Sequence, residues 1–483
     1  MACRTSDGDQ TNHLNKLSPT LLPDAVVKLC HQLKKIGGNA YLVGGAVRDL
    51  TIGIPLKDID IEIYGLDAET LNTHLQQVGR TEHVGKQFGV TKLWLGGHEI
   101  DIALPRTEKK TDAGHRGFDV TPDPNISPET ASLRRDFTIN AMMYDPVEEK
   151  LLDFHHGRED LARQALRHVS PAFSEDPLRA LRAMQFAARF KLIIDPETAK
   201  LCQSLLAEAA TLPASRIWCE WQKWANSAYP SYGLRALNES GWITLYPELE
   251  ALIDCPQDPK WHPEGDVWVH TCQVVDRAAE VTTRHQWNRE TRELMLMTAL
   301  CHDMGKPACT FTDSDGIVRS PGHSIEGKIH TSSFLKRIAA PKRIKQFMLP
   351  IVQEHMTHLN GDPTPRAVRH LASRLEPASI KIWEALVEAD ASGRSPSPAS
   401  RPAKAWLKQA ELMAHEQQKP SPIVTGKLLQ QLGVQSGKFM GQVIDSAYQA
   451  QLNGEFHDID SGRKWCQKHL DTTSIIFSES DNL

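Results

Sequence analysis

YLVGGAVRDLTIGIPLKDIDIEIYG, residues 41–65, decides how the first part of this chain folds. The apolar run Tyr41–Val43 leads into Gly44 and Gly45, and a helix is predicted to start near Ala46. Two glycines between a strand and a helix leave backbone N–H groups free at a helix N-terminus, an arrangement that suits a triphosphate. In KDIDIEIYG, Asp58 and Asp60 lie two residues apart on a predicted strand and so share one face, while Ile59 and Ile61 take the other. Adjacent carboxylates repel unless a cation sits between them. A pair of Mg²⁺ ions meets that need and can hold an attacking hydroxyl and a leaving pyrophosphate for in-line transfer. A tight turn alone, or an acidic strand face alone, is ordinary; the two in this order point to nucleotide chemistry.

Outward from this stretch, VTKLWLGGHEIDIALP (90–105) continues the period-2, β-branched pattern, which predicts a mixed sheet. From about residue 158 helical periodicity takes over, as in PLRALRAMQFAARF. The Ser/Pro-rich stretch GRSPSPASRPAK, starting at Gly393, reads as a linker before a final helical region. The chain has 483 residues, 40% hydrophobic and 24% charged, enough for several ordinary cores and incompatible with a disordered or fibrous protein. Residues 1–17 are polar and aperiodic and read as a loose tail. No apolar run is long enough for a membrane span and no export signal is visible, so the expected location is cytoplasmic, with no membrane partner. None of the nine cysteines forms a C-x-x-C pair, which argues against a disulfide framework or a thiolate zinc site. With a net charge of −5, any nucleic-acid surface must be local. The stretch 158–191, with seven Lys/Arg against four Asp/Glu, is such a basic stripe and could retain an RNA acceptor.

The run 42–65 resembles the catalytic head of the bacterial tRNA nucleotidyltransferase and poly(A) polymerase family, in the DNA polymerase beta superfamily. Further family motifs follow in order: RRDFTINAM (134–142), a G-x-x-D-L block from Gly157 to Leu161, and SEDPLRALRAMQFAARF (174–190). The resemblance implies Asp58 and Asp60 as Mg²⁺ ligands and Gly44, Gly45 and Arg48 around the triphosphate. Asp101 matches the superfamily's third carboxylate in placement, with Glu99 on the same strand face as a competitor. Asp136 and Asn140 would face the ribose and Arg135 the phosphates.

EDPLR places Asp176 and Arg179 three apart, which on a helix brings both side chains to nearly one face. Arginine offers only donors and ionised aspartate only acceptors. Together they can complement the Watson–Crick edge of cytosine or adenine and fit uracil badly; an isolated D-x-x-R is otherwise an ordinary helix ion pair. In the resembled family this block selects CTP and ATP, so Asp176 and Arg179 would be the template, with Glu175 in support and Arg182 beside them. VGKQFGVTKLWL (84–95) is similar to a G-x-x-F/Y-G-V segment common in CCA-adding enzymes, and PRTEKKTDAGHRGFDV (105–120) has the length of the loop needed for the terminal A step. The resemblance therefore implies CCA addition to the tRNA 3′ end from CTP and ATP. A-only addition and poly(A) synthesis share the same motifs and stay open here.

A second constellation follows. His270 lies in a predicted helix, and His302–Asp303 end an apolar one. His323, His355, His358 and Asp390 come after them. Imidazoles with a carboxylate suit a divalent metal. The order resembles the HD-domain phosphohydrolases, which are fused behind the nucleotidyltransferase in a subset of CCA enzymes. By that resemblance His270, His302, Asp303 and Asp390 are core ligands, and His323 and His355 can complete a second site. The chemistry would be hydrolysis of a phosphoester such as a 2′,3′-cyclic phosphate. A phosphohydrolase with a degenerate RNA-binding head is the rival from another class, opposed by the intact D-x-D, RRD and E-D-x-x-R residues. The expected organisation is a tail (1–24), an α+β head with a polymerase-beta-like mixed sheet (25–160), an all-α neck and body (161–260), an all-α HD domain (261–395), and a linker with a helical C-terminal module (396–483). Gly426, Gly433, Gly437 and Gly441 in that module read as turns and close helix contacts.

Overall fold

The computed structural model describes residues 21–84, 90–110, 118–394, 396, 401–415 and 418–480. Most of the tail, the core of the G-x-x-F-G-V segment, the middle of the 105–120 loop and most of the Ser/Pro linker lie outside the described residues. The chain divides into two compact units, Met1–Leu245 and Tyr246–Leu483. The break falls inside the stretch 161–260. Tyr246 starts the second unit because its ring packs on Phe334 at 6.0 Å and Glu248 pairs with Arg337 at 3.2 Å.

In the first unit the strands are β1 (Asn39–Val43), β2 (Ile59–Tyr64), β3 (Arg80–Val84), β4 (Val90–Leu95), β5 (His98–Ala103), β6 (Arg106–Lys110), β7 (Phe118–Pro122), β8 (Met143–Asp145) and β9 (Lys150–Leu152). Seven of them form one sheet in the order β3-β4-β5-β2-β1-β8-β9, while β6 and β7 pair as a separate hairpin. β2 and β5 run parallel and their sheet neighbours antiparallel, so the sheet is mixed, as expected. Ile59, Ile61 and Ile63 turn one face of β2 into the core. The opposite face carries Asp60 and Glu62, and the register sets Asp60 beside Asp101 and Lys92 opposite Asp101.

After the sheet the unit is helical except for a short parallel pair, Ala165–Leu166 with Ile193–Ile194, so the stretch expected to be all-α carries a small β ladder. The helix Leu178–Phe190 packs on Ala214–Ala225 and Pro230–Glu239, and Gly233 permits the close approach, since a Cβ there would meet Met184 O at 2.6 Å. Phe137 lies edge-on to Phe173 and Phe186 at 5.4 and 5.6 Å, which ties the RRDFTIN segment to that helix. Trp224 and Trp242 are fully buried, and their indole N–H groups donate to Pro230 O (2.9 Å) and Cys202 O (2.7 Å), so neither leaves an unpaired donor in the core.

The second unit is almost wholly helical. Val267–Arg284, Arg289–Cys301, His323–Arg337, Lys342–Glu354 and Ile380–Ser392 surround the histidine cluster. The last helices, Gly426–Gln431, Lys438–Asn453 and Ile459–Ser480, close over Val424, Leu428, Leu429, Met440, Val443, Ala447 and Phe456. Gly433 makes a turn at φ +83°, but Gly441 lies within the helix Lys438–Asn453 and is not the turn its spacing predicts. No helix among the described residues is long and apolar enough to cross a membrane.

Candidate functional site

β1 ends at Val43, and Gly44 turns the chain with φ +67° and ψ −132° into the helix Gly45–Thr51. Only glycine takes that conformation without strain, and a Cβ there would stand 3.2 Å from Arg135 Nη1 and 3.9 Å from Asp60 Oδ2. Gly44→Ala is therefore expected to store about 1–2 kcal/mol of strain, displace Arg135 and raise KM for nucleotide about tenfold. Steady-state kinetics beside wild type check it, and an unchanged KM would show that the added methyl does not displace Arg135.

Asp60 faces the same cavity as Gly44. Asp58 faces it too, but it stands one residue before β2 rather than on the strand, and is exposed. Burial pushes the Asp60 carboxyl above its ordinary range, Arg135 opposes this, and the charges of Asp101 and Asp58 push it further up. A carboxylate made uncomfortable in this way has a use for a cation. Among the two candidates for the third carboxylate, Asp101 is the one abreast of Asp60; it does not line the cavity, and Lys92 Nζ sits 3.1 Å from it and also contacts Glu99.

Glu62, two residues beyond Asp60, was legible as the next carboxylate at strand spacing but has a different part to play. It is 2% exposed, and its Oε1 accepts from Arg134 and Arg135 at 2.6 Å each while Oε2 accepts from the Tyr64 hydroxyl at 2.9 Å. It anchors the arginine pair at the cavity. The rest of RRDFTIN joins a buried chain of polar contacts: Arg48 Nη1 donates to Asn140 Oδ1 (2.6 Å), Asn140 Nδ2 to Asp136 Oδ1 (3.0 Å), and Arg182 Nε to Asp136 Oδ2 (2.7 Å). The Arg48 guanidinium also lies 4.3 Å from the centre of the Phe190 ring. Burial pushes the Asp136 carboxyl up, but the Arg182 charge and the Asn140 hydrogen bond outweigh it and hold the acid below its usual range.

Asp176 and Arg179 both line the cavity, though not as one turn of helix. Asp176 is extended (φ −125°, ψ 105°) and the helix starts at Leu178, because a residue preceding proline is pushed out of the α region. Its Oδ1 accepts from Leu178 N (3.0 Å) and its Oδ2 from Arg216 Nη2 (2.8 Å). Arg179 donates to Ala172 O (2.8 Å) and Arg134 O (2.7 Å), so its guanidinium is fixed by backbone. Glu175, in the 3₁₀ turn Pro171–Glu175, does not line the cavity. The cavity holds about 580 Å³ and is bordered by nine lysines and arginines against five aspartates, so an anionic ligand suits it. Arg216 and Lys223, from the helix Ala214–Ala225, were not expected there. Their spacing with Glu220, at steps of four and three, is the signal that marks one helix face.

The second unit gathers the histidines and aspartates from five helices. His270 Nε2 lies 3.1 Å from Asp390 Oδ1 and 3.9 Å from Asp303 Oδ2, and His302 Nε2 lies 3.1 Å from Asp303 Oδ2. On the other oxygen of Asp303, His323 Nε2 and His355 Nε2 stand at 3.5 and 3.8 Å and within 3.2 Å of each other. All six expected residues therefore converge, with the Asp303 carboxylate between two clusters. The Nδ1 atoms of His302, His323 and His355 point away to the carbonyls of Ala299, Ser320 and Val352 at 2.7–2.8 Å. Outward Nδ1–H groups leave the inward Nε2 lone pairs for a metal. His302 Nε2 is buried without a well-angled hydrogen bond, so the donor set fits a divalent ion. Burial pushes Asp303 up, but His302, Lys306 and His323 hold it well below the carboxylate range. Lys306, whose Nζ is 2.7 Å from Asp303 Oδ2, and His262 beside His270 were not singled out from the sequence. Both border a cavity of about 690 Å³ that opens over Asp303, His323 and Asp390.

The poly A polymerase head domain matches residues 40–167, the stretch that holds the Gly44 turn, Asp58, Asp60 and RRDFTIN. Among solved structures, the Bacillus stearothermophilus CCA-adding enzyme in complex with CTP is similar at TM-score 0.62 and 21% identity, covering 93% of this chain and 98% of that one. The Thermotoga maritima CCA-adding enzyme complexed with tRNA is similar at TM-score 0.57 and 20% identity, covering 96% and 98%. At these identities the likeness speaks for the fold. Among curated proteins, the multifunctional CCA protein of Neisseria meningitidis serogroup A is 39% identical over 321 residues, 66% of this chain and 72% of its own length. That of Actinobacillus pleuropneumoniae serotype 5b is 36% identical over 366 residues, 73% of this chain and 85% of its own. With that identity over that share of its length, this chain belongs to the multifunctional CCA protein family.

Proposed function

We propose that the first unit adds CMP and AMP, from CTP and ATP, to the 3′ end of tRNA. The 3′-hydroxyl attacks the α-phosphate and pyrophosphate leaves. The observation that carries this reading is the single cavity bordered by Gly44, Gly45, Asp58, Asp60, Arg135, Asp176 and Arg179. A divalent cation fits beside Asp60, whose carboxyl is raised partly by its acidic neighbours, and all-oxygen donors suit Mg²⁺. When bound, it supplies activation of the hydroxyl and neutralisation of the pyrophosphate charge. The chain's own residues do the rest. Asp58 and Asp60 hold the cation, and Asp101, abreast of Asp60 but outside the cavity and paired with Lys92, adds its charge from the neighbouring strand. The Gly44–Gly45 turn offers N–H groups to the triphosphate, and Arg135, tethered by Glu62, adds a fixed charge there. Arg48, Asp136, Asn140 and Arg182 support the nucleotide through their shared hydrogen bonds. Asp176 and Arg179 read the base, with Glu175 behind them.

The test is incorporation of labelled CTP and ATP, separately and together, on tRNA transcripts ending before CCA, after C and after CC. The expected result is addition of CC followed by one A. Addition of A alone to the CC-ended transcript would make it an A-adding enzyme, long A tails a poly(A) polymerase, and no incorporation would overturn the reading.

A second reading is favoured by the convergence of His270, His302, Asp303, His323, His355 and Asp390. In it the second unit is an HD-type phosphohydrolase centre. Four imidazole nitrogens with two carboxylates suit a borderline divalent ion such as Mn²⁺, Co²⁺ or Ni²⁺. Bound there, it supplies activation of water against a phosphoester such as a 2′,3′-cyclic phosphate.

A further inference from the structure

Glu264 has no part in either reading above. It stands in the stretch His262-Pro-Glu-Gly265, just before the helix Val267–Arg284, and its side chain is wholly buried. Its Oε1 lies 2.8 Å from His270 Nδ1 and 2.8 Å from His262 Nδ1. His302, His323 and His355 turn Nδ1 to neutral backbone carbonyls; of the four inward-facing histidines, His270 is the one backed by a carboxylate. A carboxylate receiving Nδ1–H fixes the tautomer and raises the electron density at Nε2 more than a carbonyl does. That Nε2 is the atom 3.1 Å from Asp390. The same oxygen holds His262 against the wall of the adjoining cavity, with the His262 and His270 rings 4.7 Å apart and edge to face.

We infer that Glu264 is the positioning residue of the second centre, making His270 its strongest nitrogen donor while fixing His262 at the cavity wall. This rests on reading the cluster as a metal centre. A carboxylate that merely tied the loop to the helix would influence folding and leave metal affinity alone, and that difference is measurable.

The experiment uses full-length protein stripped with chelator and titrated with Co²⁺, read by equilibrium dialysis and by the visible absorption of the bound ion. Wild type, E264Q, E264A and D303A are compared, and CMP addition from CTP is assayed on the same preparations. Binding absent in D303A reports the second centre. The expected result is that E264A weakens this binding by about 10- to 100-fold and alters the Co²⁺ spectrum, E264Q weakens it less because its amide oxygen still accepts the N–H, and CMP addition stays at the wild-type rate. If wild type binds no more Co²⁺ than D303A, the metal-centre reading falls and the inference with it. If wild type binds and E264A matches it within about threefold, the metal centre stands and the role of Glu264 is refuted. If E264A also loses CMP addition it is misfolded, and E264Q decides by the same threefold criterion.

Discussion

Asp60→Ala is expected to lower CMP and AMP addition by about three orders of magnitude or more, with KM for nucleotide changed far less. Losing a metal-holding carboxylate removes several kcal/mol of transition-state stabilisation, and about 1.4 kcal/mol is a factor of ten. Stability is expected to move the other way. An acid whose folded pKa is raised destabilises the fold at neutral pH, because burial and the charges of Asp101 and Asp58 work against its ionised form. Asp60→Asn should therefore melt at the wild-type temperature or above it. Loss of activity at undiminished thermal stability marks a residue kept for chemistry. Residual activity within tenfold of wild type would show that Asp60 does not hold the cation.

The second large effect is expected at Asp136. It is 7% exposed and joins Arg182 to Asn140, and through Asn140 to Arg48. Asp136→Ala takes the buried acceptor from Arg182 Nε and Asn140 Nδ2 and should cost about 3–5 kcal/mol, with KM for both nucleotides raised as Arg182, and through Asn140 also Arg48, lose their positions. Its pH signature has a defined sign. The folded pKa lies below the ordinary value, so the stabilisation is fully present above about pH 4, the unfolded aspartate value, and is lost as pH falls through the folded pKa. The urea midpoint of Asp136→Asn should thus trail wild type by a constant margin from pH 7 to about pH 5 and approach it below pH 4. A margin that persists unchanged to pH 3 would mean the aspartate stabilises by shape and not by charge.

Much of the head was legible because its signals are local. Gly44 announces a turn that side chains cannot take, and a carboxylate at every second strand position announces a shared face. The roles along that face were not legible. Asp60 meets Asp101 across a parallel pair of strands, whereas Glu62, the next carboxylate on the same face, is buried under Arg134 and Arg135 and serves as a tether. EDPLR reads as helix by spacing, yet Pro177 keeps Asp176 out of it, and the arginine that grips Asp176 comes from forty residues further on. In the second unit the histidines and aspartates were each visible by type, whereas His262, Glu264 and Lys306 carry no motif strong enough to single them out.

By itself the sequence determined the mixed sheet, the turn that can cradle a triphosphate, the carboxylate pair and the inventory of residues able to bind a metal, since these follow from backbone geometry over a few neighbouring positions. Only the tertiary structure decided that Asp60 faces the cavity while Glu62 meets two arginines, that Asp303 lies between two clusters, and that Glu264 stands behind His270. The reason is physical: burial and charge partners are set by chain segments far apart in sequence, and those partners decide what an ionisable side chain does.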